Sequence, residues 1–230
     1  MVFRIMSLVG RLISKLRKSS CNQCTLSYNY IQSRNLQFEA SSDLAKSQLK
    51  QGFNLKEDFL SEEEEQEILG EVNHRFMRRK YNKGHWDGAI VLYREMEKLE
   101  WNVTNMKIMR RFEKHVFGSE DNFLSATHVL DLHEDGYIKP HIDSIKFCGA
   151  LVSGLSLLSD AVMRLQLDEN NYADVLIPRR SVYIMSNDVR YKYTHEILPN
   201  VASVCGKEVN RTRRITVMKR SKESDHHIGS

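Results

Sequence analysis

The sequence predicts a mainly β protein with flanking helices, built as an antiparallel sandwich or jelly roll. Three observations lead there. From Phe123 onward, stretches of about six to nine residues rich in β-branched side chains recur between turn signals. Two amphipathic segments of helical period precede them. A hydrophobic content of 41% over 230 residues suffices for one sizeable core, with only 3 prolines and 11 glycines to interrupt it.

Taken in order, residues 1–48 read as a leader. No acid precedes Glu39, and Val2, Phe3, Ile5, Leu8, Val9, Leu12 and Ile13 form an apolar face interleaved with Arg4, Arg11, Lys15, Arg17 and Lys18. A basic, amphipathic, acid-poor start is the composition of a mitochondrial transit peptide, and the expected mature start lies between residues 25 and 50. The alternative is a basic surface helix that stays attached. Cys21 and Cys24 form a C-x-x-C without a partner half, which argues against a zinc site there. Cys148 and Cys205 are expected as buried free thiols.

The body is expected over 49–220. Asn54–Leu60 reads as an entry strand and turn. Ser61 and Glu64 form a capping box for a helix that buries Ile68, Leu69, Val72 and Phe76. Tyr81–Trp101 reads as an irregular aromatic segment that covers a site. A second helix over Thr104–Phe117 buries Met106, Met109, Phe112, Val116 and Phe117 and stops at Gly118. Eight strands follow, at Leu124–Leu132, Ile138–Asp143, Leu151–Leu158, Val162–Leu167, Val175–Ile177, Ser181–Met185, Tyr191–Leu198 and Ile215–Arg220. Val201–Arg213 reads as a long loop, and 221–230 as a frayed polar tail.

Charge and hydropathy exclude some functions. Residues 1–48 hold seven Lys/Arg against two acids, and the remainder holds 27 against 28. The body therefore has no excess charge with which to hold a nucleic-acid backbone non-specifically. No apolar run of about 18 residues suggests a membrane span.

The chemistry centres on Gly136–Asp143. Residues i and i+2 of a strand point to one side, so His141 and Asp143 can offer a nitrogen and an oxygen to one metal ion. A third ligand would complete the two-His, one-carboxylate face of non-haem Fe(II) oxygenases. His195, 52 residues after Asp143, is the best candidate, because the other histidines precede the pair, end a helix or sit in the tail. In the last strand Arg214, Thr216, Met218 and Arg220 share a face. Two inward arginines require anions, and a dicarboxylate supplies them with bidentate geometry.

Together these residues resemble the AlkB family of Fe(II)/2-oxoglutarate dioxygenases, and within it the mitochondrial members. The resemblance is carried by His128–Leu132, Gly136–Ala150, Gly154–Ser159, Val162–Leu165 and Thr194–Leu198. It implies a double-stranded β-helix with iron held by His141, Asp143 and His195. It implies 2-oxoglutarate on that iron, its C5 carboxylate gripped by Arg214, with Tyr183 hydrogen-bonding to it and Ile215, Thr216 and Arg220 lining its pocket. No further catalytic residue is implied. Two positions depart from the wider family: Thr216 replaces an Asn, and Leu132 stands near a usual cosubstrate-binding Tyr.

The activity so implied consumes 2-oxoglutarate and O2, releases succinate and CO2, and hydroxylates a C–H bond. On an N-methyl group that step ends in loss of formaldehyde. The expected substrate is methylated bases of mitochondrial RNA, in the matrix, and the resemblance carries links to regulated necrosis and fatty-acid metabolism. The alternatives are a hydroxylase acting on a matrix protein, or an interaction protein that retains the iron site.

Overall fold

The computed structural model describes residues 36–85, 88–118 and 121–223. Most of the expected leader, with Cys21 and Cys24, lies outside these residues, as do 224–230 of the expected tail.

The core is one ten-stranded antiparallel sheet that curls onto itself. Its strands are β1 (Phe38–Ala40), β2 (Phe53–Lys56), β3 (Ile90–Lys98), β4 (Thr127–His141), β5 (Val152–Leu157), β6 (Ala161–Gln166), β7 (Tyr172–Ile177), β8 (Val182–Met185), β9 (Thr194–Ile197) and β12 (Arg214–Arg220). The order is β1-β7-β6-β9-β4-β12-β5-β8-β2, with β3 added on β4. The curl follows from the packing. Phe38, Met163, Leu165 and Val175 come from one end of that order, and Phe53, Leu55, Val152 and Tyr183 from the other, yet all join one apolar cluster. The side chains of β5 and β8 are buried throughout, as expected for strands enclosed on both faces. The expected mainly β fold is thus observed.

β4 is the hinge of this arrangement. The sequence suggested two strands here; the structure has one strand of 15 residues. Its first half pairs with β12, Leu132 facing Arg214, and its last residues pair with β9, Ile138 facing Ile197 and His141 facing His195. Residues 133–136 form a bulge between them, standing opposite Leu92 of β3. The buried Arg211 holds that bulge, donating to the carbonyls of His133 (3.0 Å), Glu134 (3.1 Å) and Gly136. Gly136 is required there, because a Cβ would meet the Leu92 carbonyl oxygen at 2.6 Å.

Among the described residues four helices flank the sheet: α1 (Asp43–Gly52), α2 (Glu62–Phe76), α3 (Val103–Phe117) and the short α4 (Asn187–Tyr191). The Ser61–Glu64 capping box forms as expected. Within α2 the fully buried Glu65 accepts from Arg179 at 2.5 and 2.8 Å and from the Leu158 N–H at 2.8 Å, tying the helix to the sheet. Asn105 of α3 donates to Glu71 of α2 at 2.6 Å.

Several expectations are corrected. Residues 38–52 straddle the expected boundary at 49 but are packed: β1 pairs with β7, and α1 seats so closely on α4 that a Cβ on Gly52 would come within 2.6 Å of the Ser186 carbonyl oxygen. The segment 81–101 contains β3, whose charged residues hid its alternation and whose register slips at Leu92. Met106 faces solvent; Asn105 and Ile108 take the buried positions on either side of it. The supposed loop 201–213 contains a hairpin of β10 (Val201–Val204) and β11 (Lys207–Asn210). Its turn residues, Cys205 and Gly206, both have positive φ, the requirement of a two-residue hairpin turn, and Cys is not a residue that announces one. Cys205 is accordingly exposed, while Cys148 is buried. Tyr191, the expected start of the late strand, instead ends the helix α4, and β9 begins only at Thr194. Ser221, expected in the tail, is buried and bridges Phe123.

Candidate metal and cosubstrate site

The curled sheet encloses a cavity of about 200 Å³. β4, β8, β9 and β12 each send side chains into it, and the strand period decides which. On β12 Arg214, Thr216, Met218 and Arg220 face the cavity, while Ile215 points to the opposite side and does not line it. Ile215 is therefore not part of the pocket expected for it: one residue along a strand reverses the side chain's direction. From β4 come His128, Leu130, Ile138 and His141, from β8 Tyr183, and from β9 His195 and Ile197. Leu132 is buried outside the lining, and Tyr183 is the tyrosine that reaches in.

His141, Asp143 and His195 converge as expected. The two imidazole centroids lie 4.2 Å apart because their residues are register partners. His195 Nε2 is 3.8 Å from Asp143 Oδ2. His141 Nδ1 is 2.9 Å from the Lys139 carbonyl oxygen. A carbonyl only accepts, so Nδ1 carries the proton and Nε2 presents its lone pair, a common way of orienting a metal-binding histidine. Burial, and then His141, push the His195 imidazole down to about 3 despite Asp143, so it is neutral at physiological pH. For Asp143 burial acts upward. Arg220, His195, His141 and Arg190 outweigh it and hold the carboxyl well below the usual range. Arg220 Nη2 donates to Asp143 Oδ1 at 3.1 Å, which leaves Oδ2 directed at His195. Two imidazoles and one carboxylate oxygen form the donor set that suits Fe(II).

The arginines complete the cavity. Arg214 is only 2% exposed; its Nε donates to Ser156 Oγ at 3.1 Å, and Tyr183 lines the same cavity. Its Nη2 has no partner among the described residues, nor does Arg220 Nε. Burial pushes the Arg214 guanidinium down and the Tyr183 hydroxyl up. Orphaned buried cationic donors are costly, and an anion entering the cavity would satisfy them. Room for Tyr183 depends on Gly154 opposite it: a Cβ there would meet the Tyr183 hydroxyl oxygen at 2.6 Å.

The lining also includes residues that sequence reasoning passed over. His128 Nε2 is 2.8 Å from Glu95 Oε2, and its Nδ1 is 3.4 Å from Arg220 Nη1. His85 lies 3.5 Å from the other oxygen of Glu95. His128 shares the inward face of β4 with Leu130, so its direction was legible; Glu95 was hidden with β3. Arg190 in α4 gave no local signal.

Sequence comparison finds two curated relatives named alpha-ketoglutarate-dependent dioxygenase alkB homolog 7, mitochondrial. The Bos taurus protein is 42% identical over 178 residues, 76% of this chain and 80% of the relative. The Mus musculus protein is 43% identical over 166 residues, 71% and 75%. No family model matches the chain. Among solved structures, OsALKBH1 superposes with a TM-score of 0.52 at 15% identity, covering 74% of this chain and 98% of that one. A Trichoplax adhaerens prolyl hydroxylase in complex with a hypoxia-inducible-factor peptide gives 0.54 at 13% identity, covering 78% and 89%. Likeness at that identity concerns the fold.

Proposed function

The chain belongs to the alkB homolog 7 group of 2-oxoglutarate-dependent dioxygenases, which use Fe(II), and from that premise we propose that it demethylates N-methylated bases of mitochondrial RNA. His141 Nε2, Asp143 Oδ2 and His195 Nε2 would hold the iron. Arg214 and Tyr183 would bind the distal carboxylate of 2-oxoglutarate, with Arg220 and Thr216 lining its pocket. The observation that carries this reading is the unpaired Arg214 Nη2, buried in the same cavity as two facing histidines and an aspartate.

Bound Fe(II), with 2-oxoglutarate and O2, supplies the oxidising power that hydroxylates a C–H bond as 2-oxoglutarate becomes succinate and CO2. The protein's own residues do the rest. Arg220 holds one oxygen of Asp143, so that a single oxygen is free to ligate. The Lys139 carbonyl fixes the His141 tautomer. Leu130, Ile138, Val152, Met163 and Ile197 exclude water around the polar centre. At the mouth Ile142 is partly exposed, and the adjoining segment exposes Phe147 beside Lys146. An aromatic face with a nearby cation suits a stacked base and its phosphate.

The matrix is the proposed compartment, with the start of the chain as transit peptide. Because β1 and α1 pack on the sheet, cleavage ahead of Phe38 is favoured over cleavage near 48. The links to regulated necrosis and fatty-acid metabolism stay with the family reading.

The test is succinate release by protein beginning at residue 36, with Fe(II) and 2-oxoglutarate, beside an Asp143→Ala control. Mitochondrial RNA, mitochondrial protein extract, or neither is added. Stimulation by RNA, absent from the control, supports demethylation of RNA. Stimulation by protein alone replaces this reading with a protein hydroxylase. No turnover despite bound iron and cosubstrate replaces it with an interaction protein.

A further inference from the structure

Asp143 lies beyond the last residue of β4, so no ladder hydrogen bond fixes its backbone. The segment from Asp143 to Gly149 is irregular and holds little apolar burial: Ile145 is 49% and Phe147 67% exposed. Segments of this kind ordinarily sit at the low-stability end of a protein. A metal ligand, by contrast, needs to be held within about 0.5 Å of its working position.

Arg190 supplies what the segment lacks. It is 2% exposed and rises from α4, between β8 and β9. Its Nε donates to the Gly149 carbonyl at 3.1 Å, its Nη1 to the Asp143 carbonyl at 3.0 Å, and its Nη2 to the carbonyls of Ser144 (3.4 Å) and Cys148 (3.1 Å). All four acceptors belong to this one segment. The far end is pinned separately, where the Gly149 N–H donates to the Ser221 carbonyl at 2.9 Å. A Cβ at Gly149 would come within 2.0 Å of the Lys222 carbonyl oxygen, so the approach is as close as glycine permits.

We infer that Arg190 is a positioning residue for the metal centre: it fixes the backbone of Asp143 while Arg220 fixes its carboxylate. The inference rests on the reading of Asp143 as a metal ligand. Lysine would keep the charge but not the planar fork that spans four carbonyls.

The test is titration of the full chain with Co(II) under anaerobic conditions, read by its visible absorption, together with thermal unfolding of the metal-free protein. Arg190→Met weakens Co(II) binding by about 10–100-fold, the usual cost of removing an outer-shell partner, and Arg190→Lys by less. Arg179→Met, which strands the buried Glu65 far along the fold, is destabilised but keeps its Co(II) affinity. If Arg190→Met does not fold, Arg190→Lys carries the comparison. Co(II) affinity within about twofold of the parent in both folded Arg190 variants, with Asp143→Ala unable to bind, overturns the role of Arg190 alone; the twofold margin is narrow against the expected shift. Equal weakening in Arg179→Met also overturns it, because the effect is then general destabilisation. Unchanged binding in Asp143→Ala overturns the ligand reading itself.

Discussion

Arg214→Met separates binding from stability. The native side chain is enclosed, with one bond to Ser156 Oγ at 3.1 Å and an unpaired Nη2. In the metal-free, cosubstrate-free protein that orphan donor costs about 1–3 kcal/mol, and the Ser156 bond returns about 0.5–1.5 kcal/mol. Methionine fills similar space without a donor. The variant is therefore expected within about 2 kcal/mol of the parent in urea unfolding, with either sign. Binding of 2-oxoglutarate behaves differently. Two charge-assisted hydrogen bonds of about 1.5–3 kcal/mol each are removed, so the Kd rises at least about 100-fold. Calorimetric titration of 2-oxoglutarate into Mn(II)-loaded protein measures it, with Mn(II) affinity as the internal check. A Kd within about threefold of the parent, less than 1 kcal/mol of difference, refutes the assignment. So does a loss of more than about 4 kcal/mol in the unliganded protein, because Arg214 would then be a structural residue.

Three further outcomes follow from the same geometry. Gly154→Ala forces the Tyr183 ring away from its present position; it lowers stability by about 1–3 kcal/mol and raises the KM for 2-oxoglutarate, and adding Tyr183→Phe, which removes the nearest atom, gives a double variant less impaired than the sum. Asp131→Asn weakens a fully buried cluster in which Arg94 donates at 2.7 Å, Arg213 at 2.8 and 2.9 Å, and Tyr81 at 3.2 Å; calorimetry should show a loss approaching the roughly 3–5 kcal/mol of a broken buried pair, and a change under about 1 kcal/mol would count against the cluster's role. Burial, and then Lys56, lower the pKa of His115, so the unfolded chain takes up its proton more readily. Its contribution to stability is complete above the ordinary histidine pKa and is lost as pH falls through it; His115→Leu should flatten the stability difference between about pH 7.5 and 5.5, and an unchanged slope would place the titration elsewhere.

Legibility differed by element for physical reasons. The capping box at Ser61 and the stop at Gly118 are local chemistry, and both formed as written in the sequence. β3 was lost because Arg94, Glu95 and Glu97 sit beside apolar residues on a strand that bulges at Leu92, which breaks the period on which strand reading depends. The β10–β11 hairpin was lost because Cys205 occupies a positive-φ position usually marked by Asn or Gly. Ile215 entered the expected pocket through family resemblance, although its place between Arg214 and Thr216 already directed it away.

By itself the sequence determined the donor types and their local spacing. Arg214, Thr216 and Arg220 at even offsets are statements about the direction of side chains along one strand, and direction alternates whatever the strand pairs with; His141 and Asp143 are two residues apart, but β4 ends at His141, so strand alternation does not fix the direction of Asp143. Only the tertiary structure decided which strands meet. Pairing of β4 with β9 sets His141 against His195, and pairing of β12 with β4 and β5 brings Arg214 under Ser156 and Tyr183. It also recruited Arg190, 47 residues from Asp143, to hold the backbone at that ligand. Such contacts depend on loop closure and burial summed over the whole sheet, and no short stretch of sequence contains them.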